Sequence, residues 1–120
     1  MNTPDWIVQA FKTIDAKDSV GFGKLFDETG EFRFGNAPGV VGPAAIEQAV
    51  AGFFGSIAGL SHRLIQTWEG KDSWVVEGEV TYTRKDGSKY VVPFCDIFRM
   101  RGNKVKAWLI FMDISQLYSR

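Results

Sequence analysis

The chain of 120 residues is long enough for one domain with a single core and too short for two. Lys plus Arg and Asp plus Glu both number 14, so the net charge is zero and leaves no electrostatic footprint for nucleic acid or an anionic membrane. One Cys and one His cannot supply zinc-type ligand spacing, and Cys95 alone offers no intrachain disulfide. No metal and no cofactor are expected.

The N-terminus, M-N-T-P-D-W, has neither the basic start nor the apolar stretch of a signal peptide, and no run approaches the ~20 apolar residues that span a bilayer. The expected location is cytoplasmic. Thr3 can cap a first helix with Pro4 at its first position, and Trp6, Ile7, Ala10, Phe11 and Ile14 recur on one face. Asp18 can cap a shorter helix carrying Val20, Phe22, Leu25 and Phe26. A short strand, E-F-R-F, leads into the loop G-N-A-P-G-V-V-G. After Pro43 the residues Ile46, Ala49, Val50, Phe53, Phe54 and Ile57 form the clearest helical stripe.

From Leu60 the pattern changes to strands at Ser61 to Glu69, Ser73 to Arg84, Lys89 to Met100 and Lys104 to Ser115. They are separated by the turn signals G-K-D, K-D-G-S and R-G-N. Long strands joined by tight turns give an antiparallel meander that curls, with the helices covering one face. The fold class is α+β, a curved antiparallel sheet wrapped around N-terminal helices, in a single domain over 1–120. Aromatic residues at 14% exceed what a minimal core needs and suggest an apolar-walled pocket or a partner surface.

Four acids interrupt apolar strands: Glu77 and Glu79 in W-V-V-E-G-E-V-T-Y, Asp96 in V-V-P-F-C-D-I-F, and Asp113 in A-W-L-I-F-M-D-I. A buried carboxylate is costly unless it is paired, hydrogen-bonded or kept neutral. Period two sets Glu77 and Glu79 on the polar face of their strand, towards either a pocket or solvent. Asp96 has Phe94 and Phe98 as same-face neighbours, and Asp113 has Leu109 and Phe111. Both are pocket candidates, with pairing to Arg63, Arg99 or Arg101 as the structural alternative. His62, in G-L-S-H-R-L-I, has a side chain that ordinarily titrates near neutrality and is either an acid–base group or a histidine bonded at a sheet edge. Asn36, in F-G-N-A-P-G, could hold a water or a ligand carbonyl, or simply form the loop.

The opening helix, L-F-D-E-T-G-E-F, G-P-A-A-I, E-G-E-V-T-Y, P-F-C-D-I-F-R and K-V-K-A-W-L-I-F-M-D, in this order, resemble the nuclear transport factor 2-like superfamily. Within it they resemble the SnoaL-like group, whose relatives include polyketide cyclases, ketosteroid isomerases and limonene epoxide hydrolases. The resemblance implies a cone-shaped, cystatin-like α+β barrel with a deep apolar pocket, commonly a homodimer through the sheet. Against the ketosteroid isomerase pattern, Asp96 falls at the neutral aspartic acid, while Phe11 and Phe34 replace the tyrosine and the carboxylate base. Against the epoxide hydrolase pattern, Asp113 looks like the aspartate near the end of the last strand and Asn36 like the asparagine. Phe34 replaces the tyrosine there, and Glu77-Gly78-Glu79 stands where Arg-x-Asp would be.

The implied activity is cofactor-independent acid–base chemistry of isomerase, cyclase or hydrolase type on a small hydrophobic or polycyclic molecule. Asp113, His62 and Asp96 are its expected catalytic groups, and Asn36, Phe34, Glu79, Glu77 and Phe11 its expected pocket. The alternatives are a non-catalytic module that binds a small ligand, and a dimerisation module whose sheet face is anchored by Trp74, Tyr82 and Trp108.

Overall fold

A stripe of Ile7, Ala10, Phe11 and Ile14 buries one side of the first helix, α1 (Asp5–Asp15), in the computed structural model, which describes residues 3–118. Pro4, extended at φ −61° and ψ 148°, takes the N-cap position expected of Thr3. The Thr3 hydroxyl lies instead 3.5 Å from that of Thr67. Asp18 does cap α2 (Ser19–Gly23), accepting the Gly21 amide at 2.9 Å. That helix stops short of the expected Phe26 because the Leu25 carbonyl accepts from Val105 and Phe26 pairs with Val105. Tertiary pairing overrides the local apolar period, so β1 (Phe26–Phe34) is longer than E-F-R-F.

The expected loop after β1 contains a two-residue strand, β2 (Val40–Val41), which pairs with Glu31 and Phe32 of β1. Gly42, at φ 94°, then turns the chain so that Pro43 opens α3 (Pro43–Gly55). The meander follows as β3 (Gly59–Gly70), β4 (Ser73–Thr83), β5 (Lys89–Arg101) and β6 (Lys104–Phe111), with turns where expected. One end differs: β6 finishes at Phe111, so Asp113 lies beyond the strand.

The six strands form one curved, unclosed sheet in the order β2-β1-β6-β5-β4-β3. All pairs are antiparallel except β1 with β6. α1 packs on β3 and α3 on β1, and the inner face between them carries the core. Val76, Val80 and Tyr82 of β4, Phe94, Asp96 and Phe98 of β5, and Trp108 and Ile110 of β6 are all buried there. Trp108 is fully buried at the hub, with Phe98 at 4.2 Å, Phe22 at 5.0 Å and Phe11 at 5.5 Å between ring centroids. Tyr82 and Trp108 therefore belong to the interior, which corrects their expected place on an outer dimer face. No helix among the described residues is long and apolar enough to cross a membrane.

Gly78 marks the tightest approach in the sheet. A Cβ there would sit 2.5 Å from the Arg63 carbonyl oxygen and 2.6 Å from the Phe94 ring, opposite the register shift between Leu64 and Gln66. Gly78→Ala is expected to cost about 1–3 kcal/mol of unfolding free energy, since backbone and ring must both move. Urea denaturation reads this directly. A change inside about 0.5 kcal/mol would mean that the strands part freely at this point.

Candidate active site

Between α3, the loop after β1 and the inner face of the sheet lies a cavity of about 160 Å³. Its walls are nearly all apolar, among them Phe22, Phe32, Phe34, Phe53 and Ile110, and its polar groups are His62, Tyr82 and Asp96. Period two explains the last two. Tyr82 on β4 and Asp96 on β5 share the inner face with Val80 and Phe94.

Asp96 is 1% exposed. Its Oδ2 accepts the indole N–H of Trp108 at 2.9 Å, while its buried Oδ1 has no partner among the described residues. Burial pushes its carboxyl up to about 8, and the Trp108 hydrogen bond opposes that only in part. Asp96 is thus mainly a neutral acid at pH 7, with an O–H to donate. The Tyr82 phenol is pushed well above its ordinary range, first by burial and then by Asp96. It stays protonated, and its hydroxyl donates to the Met112 sulfur at 3.5 Å, a weak acceptor.

His62 is held by a residue that the sequence reading missed. Asp15, the last residue of α1, accepts the His62 backbone N–H on Oδ2 at 3.0 Å and meets Nδ1 with Oδ1 at 2.5 Å. The His62 side chain is 7% exposed and that of Asp15 28%. An ionised carboxylate can only accept, so Nδ1 donates to it and Nε2 is the nitrogen left for a ligand. Phe11 at 5.0 Å and Phe94 at 5.4 Å pack against the imidazole and fix its plane. A signal for Asp15 was present: an acid in the last turn of a helix opposes the macrodipole and needs another reason to be there.

The expected residues separate into four places. His62, Asp96 and Phe34 line the cavity. Phe11 is core, behind His62 rather than in the wall. Asp113, expected inside the cone, is exposed beyond the end of β6, and its Oδ1 accepts the Ser115 backbone N–H at 2.9 Å. That bond holds its carboxyl below the ordinary range, so Asp113 is an anion in a solvated turn. Asn36 is also exposed, in the same outer groove as Asp113. Glu77 and Glu79 lie on the outer face of the sheet, the second of them 2.9 Å from Arg63. The pocket alternative for that pair is thereby corrected to the solvent one. Among the described residues, no group of three or more His, Cys, Asp or Glu is gathered that could hold a metal ion.

Solved structures share this architecture at low sequence identity. A hypothetical protein with a ketosteroid isomerase-like fold from Catenulispora acidiphila, in complex with trimethylamine, matches with a TM-score of 0.85 and 16% identity. The match covers 92% of this chain and 86% of that one. TerC, co-crystallised with polyporic acid, matches at 0.80 and 18% identity, over 93% and 92% of the two chains. A candidate SnoaL-like polyketide cyclase from Shewanella putrefaciens matches at 0.79 and 10% identity, over 97% and 95%. No protein of curated function matches the chain. The model of the SnoaL-like domain matches residues 7–108, a span from α1 to Trp108 that takes in Asp15, His62 and Asp96. This chain belongs to the SnoaL-like domain family.

Proposed function

We propose that the protein catalyses cofactor-independent proton transfer on a small, mainly apolar carbonyl compound, with His62 as base and acid and Asp96 as hydrogen-bond donor. One observation carries this reading: an Asp15-oriented imidazole and a buried carboxyl with an unpartnered oxygen line the same apolar cavity. His62 Nε2 takes a proton from the carbon next to the carbonyl, and Asp15 balances the imidazolium that forms. The negative charge moves to the carbonyl oxygen, where Asp96 Oδ1–H donates to it. Return of the proton from Nε2 to another carbon completes an isomerisation, and attack of the carbanion on a second carbonyl would close a ring.

The cavity volume favours a single ring over a polycycle. An apolar cavity of roughly 150 Å³ holds a benzene-sized molecule, and this one is about 160 Å³. The same reading takes the protein as a homodimer through the outer sheet face. Trp68 and Val91, 50% and 54% exposed, are apolar groups that such contact would cover.

Deuterium exchange tests the chemistry without knowledge of the natural substrate. The protein in D2O should exchange the acidic C–H groups of 2-cyclohexenone faster than the same concentration of free imidazole, as followed by proton NMR. Exchange no faster than imidazole, for this and other single-ring ketones shown to bind, would identify a binding module instead.

A further inference from the structure

We infer that the groove outside the cavity is a second ligand subsite, which takes the carboxylate tail of a molecule whose apolar ring fills the cavity. The inference rests on the cavity being a ligand site, as proposed above. Phe34, Ala37 and Met112 line both spaces, so the groove is the continuation of the cavity beyond a thin partition. One part of that partition is fixed: the Phe34 ring packs edge-on against Phe53 at 4.9 Å. Another is soft. Met112 is an unbranched side chain held by the hydroxyl of Tyr82 through its sulfur, a weak contact that is cheap to exchange. A ligand crossing at Met112 would leave the Tyr82 hydroxyl free to donate to it.

Beyond the partition the groove presents Arg33, Asn36 and Asp113. The Arg33 guanidinium lies 5.7 Å from the centroid of the Phe111 ring, and among the described residues it pairs with no carboxylate. Its planar fork of N–H donors matches a carboxylate. Asn36 is exposed beside it, able to add an amide donor. Asp113 carries the opposite charge, but its carboxylate already accepts a backbone N–H from Ser115, whereas the N–H fork of Arg33 makes no hydrogen bond among the described residues and is open to an acceptor. An anionic tail fits this set better than an ammonium.

Calorimetry with four probes tests the assignment: toluene for the cavity alone, and 5-phenylpentanoate, 5-phenylpentan-1-ol and 5-phenylpentylamine for the tail. At low salt the acid should bind about tenfold more tightly than the alcohol, the gain of a charge-assisted hydrogen-bond pair. Arg33→Gln should erase that difference and leave toluene affinity unchanged, which also shows that the variant is folded. Asp113→Asn should tighten the acid about two- to fivefold by removing a like charge. Toluene binding with no advantage for the acid, or with the amine as the tightest probe, overturns the subsite and leaves the cavity standing. Failure of toluene itself to bind would sink the cavity reading, and the subsite with it.

Discussion

Asp96→Asn is expected to remove most of the pH dependence of stability between about pH 4 and pH 8. Burial raises Asp96 to about 8 in the folded chain, against an ordinary value of 3.8. In that window the folded state keeps a proton that the unfolded state releases, so stability is full below about pH 4 and falls as pH rises, levelling off above about pH 8. The loss is on the order of a few kcal/mol across the window. Asparagine cannot ionise, and its carbonyl oxygen can still accept from the Trp108 indole. Urea unfolding at pH 5 and pH 8 measures both proteins. The wild type should lose stability between the two, and the variant should lose much less. Equal slopes would show that Asp96 is already ionised in the folded protein, and the donor role assigned to it would be lost.

His62→Gln should lower proton exchange into a bound ring ketone by about 10²–10⁴-fold, the usual range for a positioned general base. Toluene should still bind, because the apolar walls supply the affinity and the amide replaces the imidazole without adding charge. Asp15→Asn should approach the same loss by another route. Its amide can donate to Nδ1, which moves the ring proton to Nε2 and leaves no lone pair where the substrate lies. A nitrogen-resolved NMR spectrum of His62 separates the two causes: the ring is gone in one variant and present as the other tautomer in the second. If Asp15→Asn leaves both the tautomer and the exchange rate unchanged, the pairing at 2.5 Å is structural only.

The meander could be read from the chain because its turns are written in Gly, Asp and Asn, and its strands are long enough for period two to repeat. That alternation also placed Asp96 correctly between Phe94 and Phe98 on the inner face. The same rule failed at Asp113. Alternation says which face a strand residue takes and cannot say where the strand ends, and β6 stops at Phe111. The Asp15–His62 contact joins residues 47 apart, the end of one helix to the start of a strand, so no local pattern contains it. β2 is two residues long and exists because β1 is beside it. Tyr82 looked like an interface anchor because large aromatics serve both cores and contacts, and only the packing of α3 over the sheet decides between them.

The proposed chemistry requires His62 and Asp96 to face one small ligand inside the apolar cavity. A crystal structure of the protein soaked with 2-cyclohexenone tests it most directly. The ring is expected between Phe34, Phe53 and Ile110, its oxygen within hydrogen-bond distance of Asp96 Oδ1 and a neighbouring carbon beside His62 Nε2. A ring held only in the outer groove, or seated in the cavity with its oxygen turned away from Asp96, would contradict it.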